Sequence, residues 1–275
     1  MGKFSGLLMV SDLDRTLFGD KSVKLILPEN NTAIEYFIEN GGFFTFATGR
    51  SLVAARELTV DIPKNAPAIL FNGQMIYDFN KDHILFSDEI YDENIKIFLG
   101  KMCEKFPFVP KVILYKDKMF TVNDDEATEN MKKKINMQGS REDFRVLPLP
   151  WVKILLAADE ATVEEMMSYS STLDLTGIQC VCSTPTLMEV MKDGVSKATG
   201  LKKLSDILGI EMKNTIAVGD YYNDASMLKA AGHAFVPENA AEDLKPLAEK
   251  VVRHHREGAI SAVVEYLDGK FTDKA

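Results

Sequence analysis

The chain has 275 residues, 46% of them hydrophobic, enough apolar material for one large core or two smaller ones. Its net charge of -9 excludes a surface built for non-specific binding to nucleic acid or an anionic membrane, because both are held through clustered Lys and Arg; the run Lys132-Lys133-Lys134 reads as a solvated helix face. Three cysteines, an odd number, suit free thiols in a reducing compartment, and with no membrane-length apolar run and no leader-like N-terminus the expected location is the cytoplasm.

In chain order, the first apolar run, 7–10, reads as a buried strand that leads directly into Ser11-Asp12-Leu13-Asp14. Residues 29–40 carry Ile34, Phe37 and Ile38 on one helical face and stop at Gly41-Gly42. A second strand, 43–47, runs into Thr48-Gly49-Arg50, and a third, 68–71, into Asn72-Gly73. Near-continuous apolar runs suit strands covered on both faces, and intervening helices make such strands parallel.

This rhythm breaks between about 82 and 185. A hairpin is predicted from 112–115 and 118–122, further strands at 151–157 and 178–183, and helices at 93–103 and 162–170. It then resumes. Ser196 caps a helix with Leu201, Leu204 and Leu208 on one face; a strand at 216–218 leads to Gly219-Asp220; a helix covers 223–231; and Phe235-Val236 forms a fifth strand. A helix begun near Ala240 is kinked or shortened by Pro246, and 259–267 closes the chain before a frayed tail from Gly269. The expected fold is α/β: a Rossmann-like parallel sheet core over 1–81 and 186–275, with an α+β cap domain inserted at 82–185.

One Asp-x-Asp pair is usually a turn, but polar residues after successive strands mark a site, since ligands bind at the carboxyl ends of parallel strands. Asp12, Asp14, Thr48, Asn72, Asp220, Asn223 and Asp224 all fall there. Carboxylates gathered at one edge repel one another unless a cation sits among them, and oxygen-only ligands suit Mg²⁺. Lys197 lies in the first turn of its helix, where the macrodipole disfavours a cation. Two readings stand: a solvated lysine, which is the simpler one, or a lysine pointing into the acid cluster.

Four ordered motifs, "DLDRT" at 12–16, "TGR" at 48–50, "GVSKATGL" at 194–201 and "GDYYND" at 219–224, with "FNGQMIYD" at 71–78, resemble the haloacid dehalogenase superfamily. The resemblance is to its Cof-type phosphatases, which carry a large α+β (type IIB) cap after the third core strand. It implies that Asp12 is the nucleophile forming an aspartyl-phosphate, and that Asp14 is the general acid and base, with its backbone carbonyl helping to hold the metal. It implies direct Mg²⁺ ligation by Asp12 and Asp220, and ligation through water by Asp224. The amides of Leu13 and Gly49, with Thr48, Asn223 and Lys197, would hold the phosphoryl oxygens.

The implied reaction is hydrolysis of phosphate monoesters of small metabolites, sugar phosphates foremost, under a closing cap. The chain would act as a monomer or weak homodimer, with no nucleic-acid or membrane partner. A sugar phosphomutase using the same chemistry and a non-catalytic phosphate and Mg²⁺ sensor are the alternatives. Asp14 points to phosphate esters, because ion-pumping relatives carry Thr there. One departure stands out: Arg15 replaces the family's usual Gly, so either the loop backbone is regular here or strain is stored. Arg15 itself reads as a surface arginine, or as one whose guanidinium reaches an acidic substrate or pairs with a cap carboxylate. Arg50 and Arg56 could lie near the site mouth but are not counted as catalytic, and His254-His255 reads as a solvated pair.

Overall fold

The computed structural model describes residues 2–19, 26–115, 118–123, 126–135 and 139–271, with backbone alone at 131, 134 and 135. The chain divides into two compact units, one of Met1–Ser87 with Ser196–Ala275, the other of Asp88–Val195.

In the first unit, strand β1 (Leu8–Ser11) is followed by helix α1 (Pro28–Glu39), β2 (Phe43–Phe46), α2 (Leu52–Leu58), β3 (Ala68–Leu70), β4 (Met75–Asp78) and β5 (His83–Ser87). The predicted third core strand behaves differently from its neighbours. Ile69 makes only an isolated parallel bridge to Ala47, while β3 pairs antiparallel with β4, and β4 with β5, in a three-stranded sheet.

The second unit contains α3 (Asn94–Lys105), β6 (Lys111–Tyr115), β7 (Lys118–Thr121), α4 (Glu126–Ile135), β8 (Gly139–Arg141), β9 (Lys153–Ala157), α5 (Glu160–Ser170), β10 (Ile178–Thr184) and β11 (Leu187–Lys192). Its six strands lie in the order β10-β11-β9-β6-β7-β8. Phe98, Leu99 and Met102 of α3 and Val163 and Met166 of α5 pack with Ile113, Ile154, Leu156, Met188 and Val190, so both helices cover one face of the sheet. Lys132 and Lys133 of α4 are half-buried and exposed, with Lys132 Nζ 2.5 Å from Glu129 Oε1; the Lys134 side chain lies outside the described residues. The unit begins six residues after the expected start of the cap at 82 and ends ten after its expected end at 185. Strand pairing is the reason: β5 hydrogen-bonds to β4, whereas β11 lies between β9 and β10.

The chain returns to the first unit through α6 (Lys197–Leu208), β12 (Thr215–Val218), α7 (Ala225–Ala230), β13 (His233–Pro237), β14 (Lys250–Val252) and α8 (Ala259–Lys270). Strands β14-β13-β12-β1-β2 form one sheet in which every neighbouring pair is parallel. Leu8 and Val10 pack with Leu201, Leu204, Met227 and Leu228 of α6 and α7. Met9, one residue along the strand, points to the opposite face by the period of two; α1 and α8 pack together as the other helical layer. The helix expected near Ala240 is a 3-10 turn, Glu242–Leu247, with Pro246 inside it. The closing helix runs to Lys270, past Gly269; residues 272–275 of the expected tail lie outside the described residues.

A polar cluster ties the sheet edge to the last helix. Glu249 accepts hydrogen bonds from Lys270 Nζ at 2.5 Å and Tyr266 OH at 2.8 Å, and its Oε2 lies 2.6 Å from His233 Nδ1. Partial burial pulls the Glu249 carboxyl upward, but these three partners outweigh it and hold the pKa at about 2, below the ordinary 4.5. Stability drawn from this cluster is therefore complete above pH 4.5 and lost as pH falls towards 2. Denaturant titration of Glu249→Gln is expected to show a lower midpoint than the parent at pH 6, with the gap narrowing below pH 4.5 and closing only near pH 2.

Candidate active site

Asp12 ends β1. Its amide donates to Val218 O at 2.8 Å, so the parallel pairing with β12 carries one residue past the strand and fixes the carboxylate at the sheet's edge. Lys197, fully buried, donates to Asp12 Oδ1 at 2.5 Å and to Asp224 Oδ1 at 2.6 Å. This is the acid-cluster reading of Lys197, and the solvated one is excluded. Two devices set it there. Ser196 and Thr199 form a capping box, the Ser196 side chain accepting from Thr199 N and the Thr199 side chain from Ser196 N. Close backbone contact does the rest: a Cβ at Gly73, whose φ is +109°, would fall 2.0 Å from Ser196 O, and one at Gly200 would fall 2.9 Å from Gly73 Cα.

Asp220 and Asp224 lie on the loop after β12. Asp224 Oδ2 accepts from the amides of Asp220 and Tyr221 at 3.0 and 3.1 Å, which turns the loop back on itself, and Asp220 Oδ1 accepts from Thr16 Oγ1 at 2.9 Å. One oxygen from each of Asp12, Asp220 and Asp224 lies within 4.8 Å of the other two, and all three residues are buried. Burial and the neighbouring carboxylates push the Asp12 pKa well above its ordinary value, against the pull of Lys197. Burial, then Asp224, pushes Asp220 up to about 7, with Thr16, Arg15 and Lys197 opposing. On Lys197 burial acts downward, but Asp12 and Asp224 together raise its pKa.

Keeping Asp220 ionised at neutral pH thus carries a cost relative to water. A divalent cation among the three carboxylates would offset that cost. Asp220 Oδ2 is buried and accepts no hydrogen bond among the described residues, which leaves it available to such an ion. The all-oxygen donor set fits a hard cation.

Asp14 stands apart from this triad. Arg50 grips its carboxylate with both arms, Nε to Oδ2 at 2.8 Å and Nη2 to Oδ1 at 2.6 Å. The Asp14 side chain remains 40% exposed while its orientation is set by a planar fork. Arg50, expected only near the site mouth, thus meets Asp14 directly. Arg56 bonds to the Tyr77 hydroxyl and Asp82 instead.

The loops after β2 and β3 are stitched together, Thr48 N donating to Ile69 O and Asn72 N to Thr48 O, both at 2.9 Å. This sets Thr48, Gly49 and Asn72 side by side. Thr48 is buried, with its Oγ1 accepting from Arg50 N at 3.2 Å. A Cβ at Gly49 would lie 3.0 Å from Asn72 Oδ1, and Asn223 Nδ2 donates to that same oxygen at 3.2 Å, so Asn223 joins the group from the β12 side. Leu13 follows Asp12 directly, its side chain buried.

Arg15 settles the question its sequence position raised: its φ is +64° and ψ 12°, the left-handed region, so the loop stores strain. Its side chain is not free, and its partners lie within its own unit, not on the cap. Nη2 donates to Asn239 O at 3.1 Å, Asn239 Nδ2 donates back to Arg15 O at 2.9 Å, and Nε lies 3.5 Å from Asp220 Oδ2. The expected solvated histidine pair is half wrong. His255 is buried, its amide donating to Asn239 Oδ1 at 3.0 Å and its Nδ1 lying 2.8 Å from Phe18 O. Asn239 was missed, although its place just past the fifth strand matches that of the other site residues.

A family model described as haloacid dehalogenase-like hydrolase matches residues 9–264. Among curated proteins, the chain is 26% identical to the 5-amino-6-(5-phospho-D-ribitylamino)uracil phosphatase YwtE of Bacillus subtilis (strain 168), covering 93% of this chain and 96% of that one. It is 25% identical to YcsE of the same organism, described by the same activity, covering 94% of each. Two solved structures share the fold: TM0651 from Thermotoga maritima, with a TM-score of 0.80 at 23% identity over 94% of this chain and 97% of that one, and a haloacid dehalogenase-like hydrolase from Bacteroides thetaiotaomicron, with 0.80 at 22% over 95% and 99%. The chain belongs to the haloacid dehalogenase-like hydrolases, as an enzyme of their phosphatase type.

Proposed function

We propose that the protein is a Mg²⁺-dependent phosphatase that hydrolyses phosphate monoesters of small metabolites, sugar phosphates and related polyol phosphates, through phosphoryl transfer to Asp12. The observation that carries this reading is the separation of two carboxylates of one short loop. Asp12 is buried against Lys197 beside two further acids, whereas Asp14 stays part-exposed on the Arg50 fork. That difference in surroundings supports a reading in which one carboxylate accepts a phosphoryl group and the other exchanges a proton with solvent or a leaving group.

In this mechanism an Asp12 oxygen attacks phosphorus, and Asp14 gives its proton to the departing alkoxide. Asp14 then takes a proton from the water that opens the acyl phosphate, restoring both carboxyls. Lys197 compensates charge on Asp12 and on the transferring group, and Thr48, Asn223 and the amides of Leu13 and Gly49 hold the phosphoryl oxygens. Asp12 and Asp220, with Asp224, would hold Mg²⁺, and the ion when bound neutralises charge gathered on the phosphoryl oxygens.

The two Bacillus relatives named above act, by name, on a phosphorylated ribityl chain, which supports a polyol phosphate as substrate class here. Three free thiols support a reducing, cytoplasmic setting.

The test is phosphate release across a panel of sugar and polyol phosphates, with Mg²⁺ and with chelator. Asp12→Asn is expected to lower turnover by about a thousandfold or more, the scale seen when a nucleophile is removed. Release by that variant equal to the parent's would overturn the mechanism. Arg50→Ala frees the Asp14 carboxylate, so kcat is expected to fall by about 10- to 100-fold with a smaller change in KM, as misplacement of a reacting group does. Steady-state kinetics on the best substrate of the panel checks the split.

A further inference from the structure

We propose that Arg15 is a fixed positive charge that weakens, and so sets, the affinity of the Asp12, Asp220 and Asp224 cluster for its divalent cation. The inference rests on the reading of that cluster as a Mg²⁺ site. Its own support is the way the Arg15 charge is held.

The residue is tied at both ends to one partner. Its carbonyl accepts from Asn239 Nδ2 at 2.9 Å, and its guanidinium donates through Nη2 to Asn239 O at 3.1 Å. Asn239 is in turn fixed by the His255 amide at 3.0 Å, and the His255 ring meets Phe18 O at 2.8 Å, closing the network onto the loop that carries Arg15. A non-glycine residue at φ +64° persists only where its surroundings over-determine it, and these bonds do so. The guanidinium position is therefore part of the fold.

That position faces Asp220. Oδ1 of Asp220 is taken by Thr16 Oγ1 at 2.9 Å, which leaves Oδ2 as the oxygen without a hydrogen bond. Arg15 Nε lies 3.5 Å from this oxygen, near enough for strong Coulomb attraction and too long for a good hydrogen bond. Arg15 thus shares the charge of the atom a cation would use without occupying it. A cation bound at Oδ2 meets a like charge a few ångströms away. Because the Arg15 side chain is 38% exposed, part of this repulsion is screened by salt. The second cation, Lys197, touches the oxygens of Asp12 and Asp224 and not those of Asp220, so the two positive charges act on different ligands.

The test is calorimetric titration of the full chain with MgCl₂ alone, at low ionic strength, for the parent, Arg15→Gln, Arg15→Lys and Arg15→Gly. Removal of the charge in Arg15→Gln and Arg15→Gly is expected to tighten Mg²⁺ binding by about tenfold, the order for one partly screened unit charge at this range. Arg15→Lys should stay within about threefold of the parent, because it keeps the charge. The Arg15→Gly variant guards against misfolding, since glycine relieves the left-handed strain, and its metal-free melting temperature provides the control. The tightening in Arg15→Gln should shrink at high salt. Parent binding that Arg15→Gln leaves unchanged or weakens overturns this inference and leaves the phosphatase reading standing. No Mg²⁺ binding by any of the four overturns both.

Discussion

A lysine with no solvent exposure, held between two buried aspartates, is the constraint on which the site depends. Stripping Lys197, Asp12 and Asp224 of water costs several kcal/mol per ion, and only short contacts to both carboxylates recover it. The fold therefore has to bring three segments to one point: the end of β1, the start of α6 and the loop after β12. Much of the first unit serves this end. The parallel pairing of β1 with β12 sets two of the segments side by side, and the close approach of Gly73 to Ser196 and Gly200 sets the third.

Charge balance explains why the remaining polar residues sit where they do. Three carboxylates face one lysine, so the cluster stays under-compensated; burial first, and then the neighbouring carboxylates, raise the pKa of Asp12 and Asp220. Thr16 and Arg15 relieve part of it on Asp220, and backbone amides relieve part on Asp224. What is left suits a divalent cation. Asp14, two residues from Asp12, escapes this crowding because the chain turns sharply at Arg15 and Arg50 takes the carboxylate away from the triad. Two acids separated by one residue thereby acquire different surroundings.

The left-handed backbone at Arg15 shows how local strain is carried by distant structure. Nothing in residues 12–18 alone favours that conformation for an arginine. Asn239 and His255, more than two hundred positions away, supply the hydrogen bonds that hold it.

Much was legible in the sequence because it is written in short-range patterns. Apolar runs ending in polar residues marked β1, β2 and β12, helical spacing marked α1, α6 and α8, and four ordered motifs marked the acids and Lys197. The hairpin of β4 and β5 was not legible, since His83 to Ser87 is mostly exposed and lacks a clean alternation. Strand β11 was hidden by Glu189, whose charge is tolerated inside the sheet through a 2.7 Å contact with Lys153 of β9. Strand β14 has only three residues, too few for a period to register.

By itself the sequence determined the α/β class, the inserted segment and the residue types available to the site, because each of these depends on spacing along the chain. Which side chains meet was decided only by the tertiary structure. The direction of Lys197, the Arg50 grip on Asp14, the burial of His255 and the tie between Arg15 and Asn239 all depend on which loops the sheet order brings together. Contacts between residues remote in sequence leave no periodic trace in it.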